Sequence, residues 1–124
     1  MRVRRSALYI WCLGLAVAGL SACSGPVDPN KPVTFTNDIG PLIQQNCAKC
    51  HVEDTKGKLS LASKESALEG GKSGPVVVPG DSANSLMFQL VTEQKKGKRM
   101  PPKGNLLSKK KVAMIKYWID QGAN

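Results

Sequence analysis

The chain has one histidine, His51, which excludes any site that needs two imidazoles. Aromatic residues are scarce at 5%, and beyond residue 32 only Phe35, Phe88, Tyr117 and Trp118 supply aromatic bulk, leaving room for something else to fill the core. Acidic residues are half as numerous as basic ones, nine against 18, for a formal charge of +9. No internal repeat is present, and the strand and helix alternation of a nucleotide-binding fold is missing. Cysteine is limited to Cys12, Cys23, Cys47 and Cys50, too few for a disulfide framework once the leader is set aside.

Residues 1–22, "MRVRRSALYIWCLGLAVAGLSA", join three arginines to an apolar run from Ala7 to Leu20. That run is short for a membrane span and reads as an export signal. "LSAC", Leu20 to Cys23, resembles the bacterial lipoprotein processing site, which implies diacylglycerol on Cys23 and Cys23 as the first mature residue. An ordinary signal peptide and an uncleaved anchor helix are the competing readings. Residues 23–32 then form a lipidated tether whose prolines disfavour helix and ladder, with "SGPVDPNKP" reaching about 28 Å. Residues 33–124 are long enough for one compact domain and too short for two. The expected location is the periplasmic or cell-surface side of a bacterial membrane, held there by the lipid.

Helical spacing dominates the domain. In "FTNDIGPLIQQNCAKCH", Ile39, Ile43 and Cys47 recur every four residues, with Leu42 and Cys50 on the neighbouring stripe, so a helix capped at Thr36 or Asp38 should end at the cysteines. Leu59 and Leu61 alternate as in a strand, and a short helix should follow Ser63 and stop at Gly70 and Gly71. A further helix is expected from a cap at Asp81 or Ser82, turning Leu86, Met87, Leu90 and Val91 inward. The last runs from a cap at Ser108 to Gly122 with Val112, Ile115, Trp118 and Ile119 as its apolar stripe. The fold class is mainly α, with three to four helices and room for one short β-hairpin.

"CAKCH", Cys47 to His51, has three readings. A redox dithiol uses a thiolate at a helix N-terminus in a thioredoxin-like sheet, whereas this pair follows a helix. A structural zinc site needs four ligands, and two cysteines and one histidine are offered. Covalent attachment of haem needs two cysteines for its two vinyl groups and an imidazole for the iron, and five residues supply all three. On that reading Cys47 and Cys50 bind one haem c per chain and His51 is the proximal ligand. The sixth ligand must come from elsewhere, because no second histidine exists, and three methionines remain in the domain. Met87 and Met114 lie on helical stripes, where methionine usually fills core, whereas Met100 in "KRMPPKG" precedes two prolines that hold it out of a helix. Met100 is therefore the candidate, with an exposed loop methionine or a water-filled site as the alternative.

These motifs together resemble the planctomycete-type cytochrome c domain. The resemblance runs from "FTNDIGPLIQQNCAKCH" through "KLSLASKESALEGGKSGPVVVPGDSANSL" to "RMPPKGNLLS" and "IKYWIDQGA". It implies covalent haem on Cys47 and Cys50, iron ligation by His51 and Met100, and a crossing of first and last helices near Gly40 and the Tyr117, Trp118 pair. It also implies a carbonyl in "SGPVV", near Pro75, that accepts the other ring N–H of His51. One departure is the basic first turn of the last helix, Lys109, Lys110 and Lys111, where family members place acidic residues; each lysine opposes the helix dipole.

The three arginines of the leader account for three of the nine net charges, leaving +6. Lys95, Lys96, Lys98, Arg99 and Lys103 bracket Met100, and this excess is either a solvated face or a collar that steers acidic redox proteins. Anionic lipid is a third target for it. Nucleic acid is not expected, since no stacking or groove-reading motif is present. The function expected is a membrane-anchored electron carrier with no substrate chemistry of its own; the alternatives are a haem-based ligand sensor and the cytochrome subunit of a larger dehydrogenase.

Overall fold

Thr34 begins the helical part of the chain, in a computed structural model that describes residues 31–95 and 97–124. The leader, Cys23, nearly all of the tether and Lys96 lie outside the described residues. The Thr34 hydroxyl accepts the N–H of Asn37 at 3.3 Å, and Asp38 returns a carboxylate oxygen to the Thr34 N–H at 2.9 Å. This reciprocal cap displaces the expected one at Thr36 or Asp38: Asp38 completes the cap rather than forming it.

Phe35–Ile39 is a wide π turn closed by the Gly40 N–H on the Phe35 carbonyl, and α1 (Gly40–Asn46) follows it. One continuous α-helix is not formed, because Pro41 lacks the amide that the first α-turn would use. Cys47 ends α1, and a second π turn, Lys49–Glu53, carries Cys50 and His51.

The stretch around Leu59 and Leu61 joins no strand. The Leu61 N–H bonds the His51 carbonyl at 2.7 Å, so the extended segment is tied to the turn that carries Cys50 and His51 and not to a ladder. The only bridge among the described residues links Gly71 and Gly74, which is less than the hairpin allowed for. The short helix α2 (Lys64–Glu69) starts as expected at Ser63, which shares a capping box with Ser66, and ends at Gly70.

The next helix begins later than its sequence suggests. Asp81 spends its carboxylate on Asn84, through the backbone N–H at 3.1 Å and the side-chain amide at 2.6 Å, so residues 82–84 form a turn. Ser85, fully buried, takes the Val78 N–H at 2.8 Å and donates to the Asp81 carbonyl at 2.8 Å, and α3 (Leu86–Val91) starts after it.

α4 (Lys109–Asp120) matches its expected limits, with the Ser108 hydroxyl accepting the Lys111 N–H. Its buried face is Ile115, Trp118 and Ile119, while Val112 is half-buried. The Trp118 ring lies 5.8 Å from that of Phe35, and its indole N–H reaches the Asn124 carbonyl at 2.9 Å. The same carbonyl accepts the Phe35 N–H, and Gln121 pairs with both backbone groups of Val33, so the two ends of the domain are sewn together.

The expected role of Gly40 changes here. A side chain at Gly40 would meet the Phe35 carbonyl at 3.2 Å and the Phe35 ring at 3.9 Å, so its bareness serves the π turn, and Phe35 makes the contact with α4. The molecule is thus mainly α, and among the described residues no helix is long and apolar enough to cross a membrane.

Candidate functional site

The end of α1, α3, Ile115 of α4 and the loops at 56–61, 71–76 and 100–102 enclose a cavity of about 300 Å³. Its wall is almost wholly apolar, and it is as large as the smaller cofactor pockets of proteins. Cys47, Cys50, His51 and Met100 all lie on this wall. The same four residues also line a smaller cleft of about 170 Å³, together with Pro101 and Leu107. The sequence-separated parts of the expected site are therefore brought together across 49 positions.

Each part is held by its own local structure. Cys47 is placed by its N–H on the Ile43 carbonyl at 2.7 Å, and the next turn is closed by the Cys50 and His51 amides on the Cys47 carbonyl at 3.1 and 2.9 Å. The Met100 N–H bonds the Leu90 carbonyl at 3.0 Å, which fixes the loop to α3, and the Met100–Pro101 peptide is cis. Arg99 braces the same loop, donating to the Gly104 carbonyl at 2.8 Å and lying 4.0 Å from Glu93.

Burial pushes the Cys47 thiol above its ordinary range; the neighbouring Cys50 adds to this, and Lys111 opposes it. A thiol held protonated is a poor catalytic nucleophile, which counts against the redox-dithiol reading. Among the described residues no three His, Cys, Asp or Glu side chains converge to hold a metal ion, so the zinc reading loses its cage. The same two thiols and imidazole on an apolar wall fit a flat apolar macrocycle that is bonded through cysteine and ligated by histidine.

His51 Nδ1 is buried and has no hydrogen-bond partner among the described residues. The carbonyl near Pro75 that the resemblance implies is not engaged by this nitrogen; of that stretch, the Gly74 carbonyl takes the Gly71 N–H at 3.1 Å and the Val76 carbonyl takes the Met87 N–H at 2.9 Å. An unpaired buried ring nitrogen is costly, and a metal-bound imidazole would need a hydrogen-bond acceptor at its second nitrogen.

Met87, read from its spacing as core filling, also lines the larger cavity; Met114 does not line it, and only Met100 is shared with the cleft beside the cysteines. Leu59 and Leu61, whose alternation reads as a strand, line the cavity instead. Lys56 and Lys72 stand on the wall as well, with nothing in their local sequence to mark them. Lys111 reaches Asn46 Oδ1 at 3.1 Å, so one of the three lysines that oppose the dipole of α4 sits instead at the favourable C-terminal end of α1.

Residues 47–104 match the family model described as planctomycete cytochrome C. No curated protein and no solved structure matches the chain.

Proposed function

From the premise that this chain carries a planctomycete-type cytochrome c domain, which binds haem and carries electrons, we propose a finer reading: a lipid-anchored, mono-haem electron carrier serving acidic redox proteins. The observation that carries it is the shared apolar wall on which Cys47, Cys50, His51 and Met100 meet. A haem c held there supplies a one-electron ferric/ferrous couple.

Cys47 and Cys50 would hold the group through thioethers, and His51 and Met100 would ligate its iron. A Met/His pair raises the reduction potential relative to bis-histidine ligation. The aliphatic wall, with Leu42, Ile43, Leu61, Val76 and Ile115, excludes water and keeps the local dielectric low. Ordered anchors on both sides of the cavity, the Met100 and Leu61 hydrogen bonds above all, limit the reorganisation that a change of charge demands.

Lys95, Lys98 and Lys103 are exposed beside the Met100 loop and form the collar that would steer an acidic partner. Diacylglycerol on Cys23 would keep the carrier at a membrane, next to its donors and acceptors. Potentiometric titration of the exported protein is expected to give a reversible single-electron wave, with a ferrous form that does not take up carbon monoxide. Ready formation of a carbon monoxide adduct would instead favour a ligand sensor.

A further inference from the structure

We propose that Lys56 and Lys72 form the anion-holding edge of this cavity and take the two carboxylates of the haem. The proposal rests on the haem reading above. Haem is apolar over its macrocycle and vinyl edge and bears two propionate carboxylates at the opposite edge. A wall that fits it should be apolar throughout and cationic at one place away from the cysteines.

The cavity meets that description. Apart from the attachment residues, the side chains on its wall with a polar group are Lys56, Lys72 and Ser73. The smaller cleft shares Cys47, Cys50, His51 and Met100 with the cavity but neither of these lysines, which border the larger cavity alone.

Their backbone is a built platform. The Lys72 N–H donates to the Gly57 carbonyl at 2.7 Å, which fastens the loop carrying Lys72 to the turn carrying Lys56. A side chain at Gly71 would meet the same Gly57 carbonyl at 2.8 Å and Leu59 Cβ at 3.0 Å, so the two loops approach as closely as backbone permits. Lys72 makes no ion pair among the described residues, and Lys56 has only a loose one, 3.7 Å from the exposed Asp54. Both ammonium groups are thus available, and a carboxylate between them would gain charge-assisted hydrogen bonds.

The test uses the exported protein with its covalent haem, verified first by its haemochrome spectrum, so that a failure of the haem reading is seen separately. Loss of a cation near the carboxylates favours the ferric state. Lys56→Ala and Lys72→Ala should each lower the midpoint potential, the double variant should lower it most, and Lys72→Arg should restore it, while Lys64→Ala should leave it unchanged. Carbodiimide, which joins an amine to a carboxylate in contact with loss of water, should link Lys72 to the haem-bearing peptide in the wild type. A double variant with the wild-type potential, or no such link at either lysine, would overturn the proposal.

Discussion

The N–H of Met100 donates to the carbonyl of Leu90 at 3.0 Å, so the loop bearing the sulfur is carried by the same helix that forms one wall of the cavity. The arrangement separates two methionines that composition alone cannot rank. Met100 borders both the cavity and the cleft beside the cysteines, whereas Met87 borders the cavity only. Met100→Ala is expected to abolish the sulfur-to-iron absorption band of the ferric protein, and Met87→Ala and Met114→Ala to keep it. Loss of the band in Met87→Ala alone would reassign the ligand.

Steering by the basic collar is testable through salt. Lys98→Glu with Lys103→Glu should slow electron transfer to an acidic redox partner at low ionic strength, and the difference from wild type should shrink as salt is raised. Stopped-flow rates across a salt series measure this. Arg99 is not interchangeable with these lysines, since its guanidinium already braces the loop on Gly104.

Trp118 joins α4 to the start of the domain through Phe35 and Asn124. Trp118→Ala should cost about 3–5 kcal/mol by emptying a fully buried site. Trp118→Phe keeps most of the ring but loses the indole hydrogen bond, and should cost about 1–2 kcal/mol. Denaturant unfolding of the holoprotein gives both values.

Two glycines on the same platform should respond differently to alanine. At Gly71 a methyl group would press on backbone atoms of Gly57 and Leu59, and a cost of about 3 kcal/mol is expected. At Gly57 the space is open but φ is +71°, so only the left-handed penalty of about 1–2 kcal/mol applies. Thermal unfolding of the two variants should rank Gly71→Ala below Gly57→Ala.

The parts of the fold that were legible in the sequence are those set by local signals. Ser108 and the stripe of α4 define that helix outright, as Ser63 and Gly70 define α2. The CAKCH stretch could be read as a candidate haem attachment because its five residues carry their own chemistry. What the sequence left hidden depends on contacts across the chain. Asp81 looks like a helix cap, yet Ser85, fastened beneath Val78, moves the start of α3 onward. Leu59 and Leu61 alternate like a strand because one face of an extended segment meets the cavity, a cause that no local pattern distinguishes from a sheet. The first π turn follows from Pro41 together with the Thr34 and Asp38 cap, and none of these residues alone announces it. Lys56 and Lys72 come to the same cavity through a contact across the chain, the bond from the Lys72 N–H to the Gly57 carbonyl.

The central claim is that Cys47 and Cys50 hold a haem against His51 in this cavity. The intact mass of the protein exported by a host competent in cytochrome c maturation tests it most directly. The account predicts a mass increased by one haem that survives denaturation, with the increase lost in the Cys47→Ser, Cys50→Ser double variant. A wild-type chain that reaches its compartment folded and carries no covalent haem would contradict it.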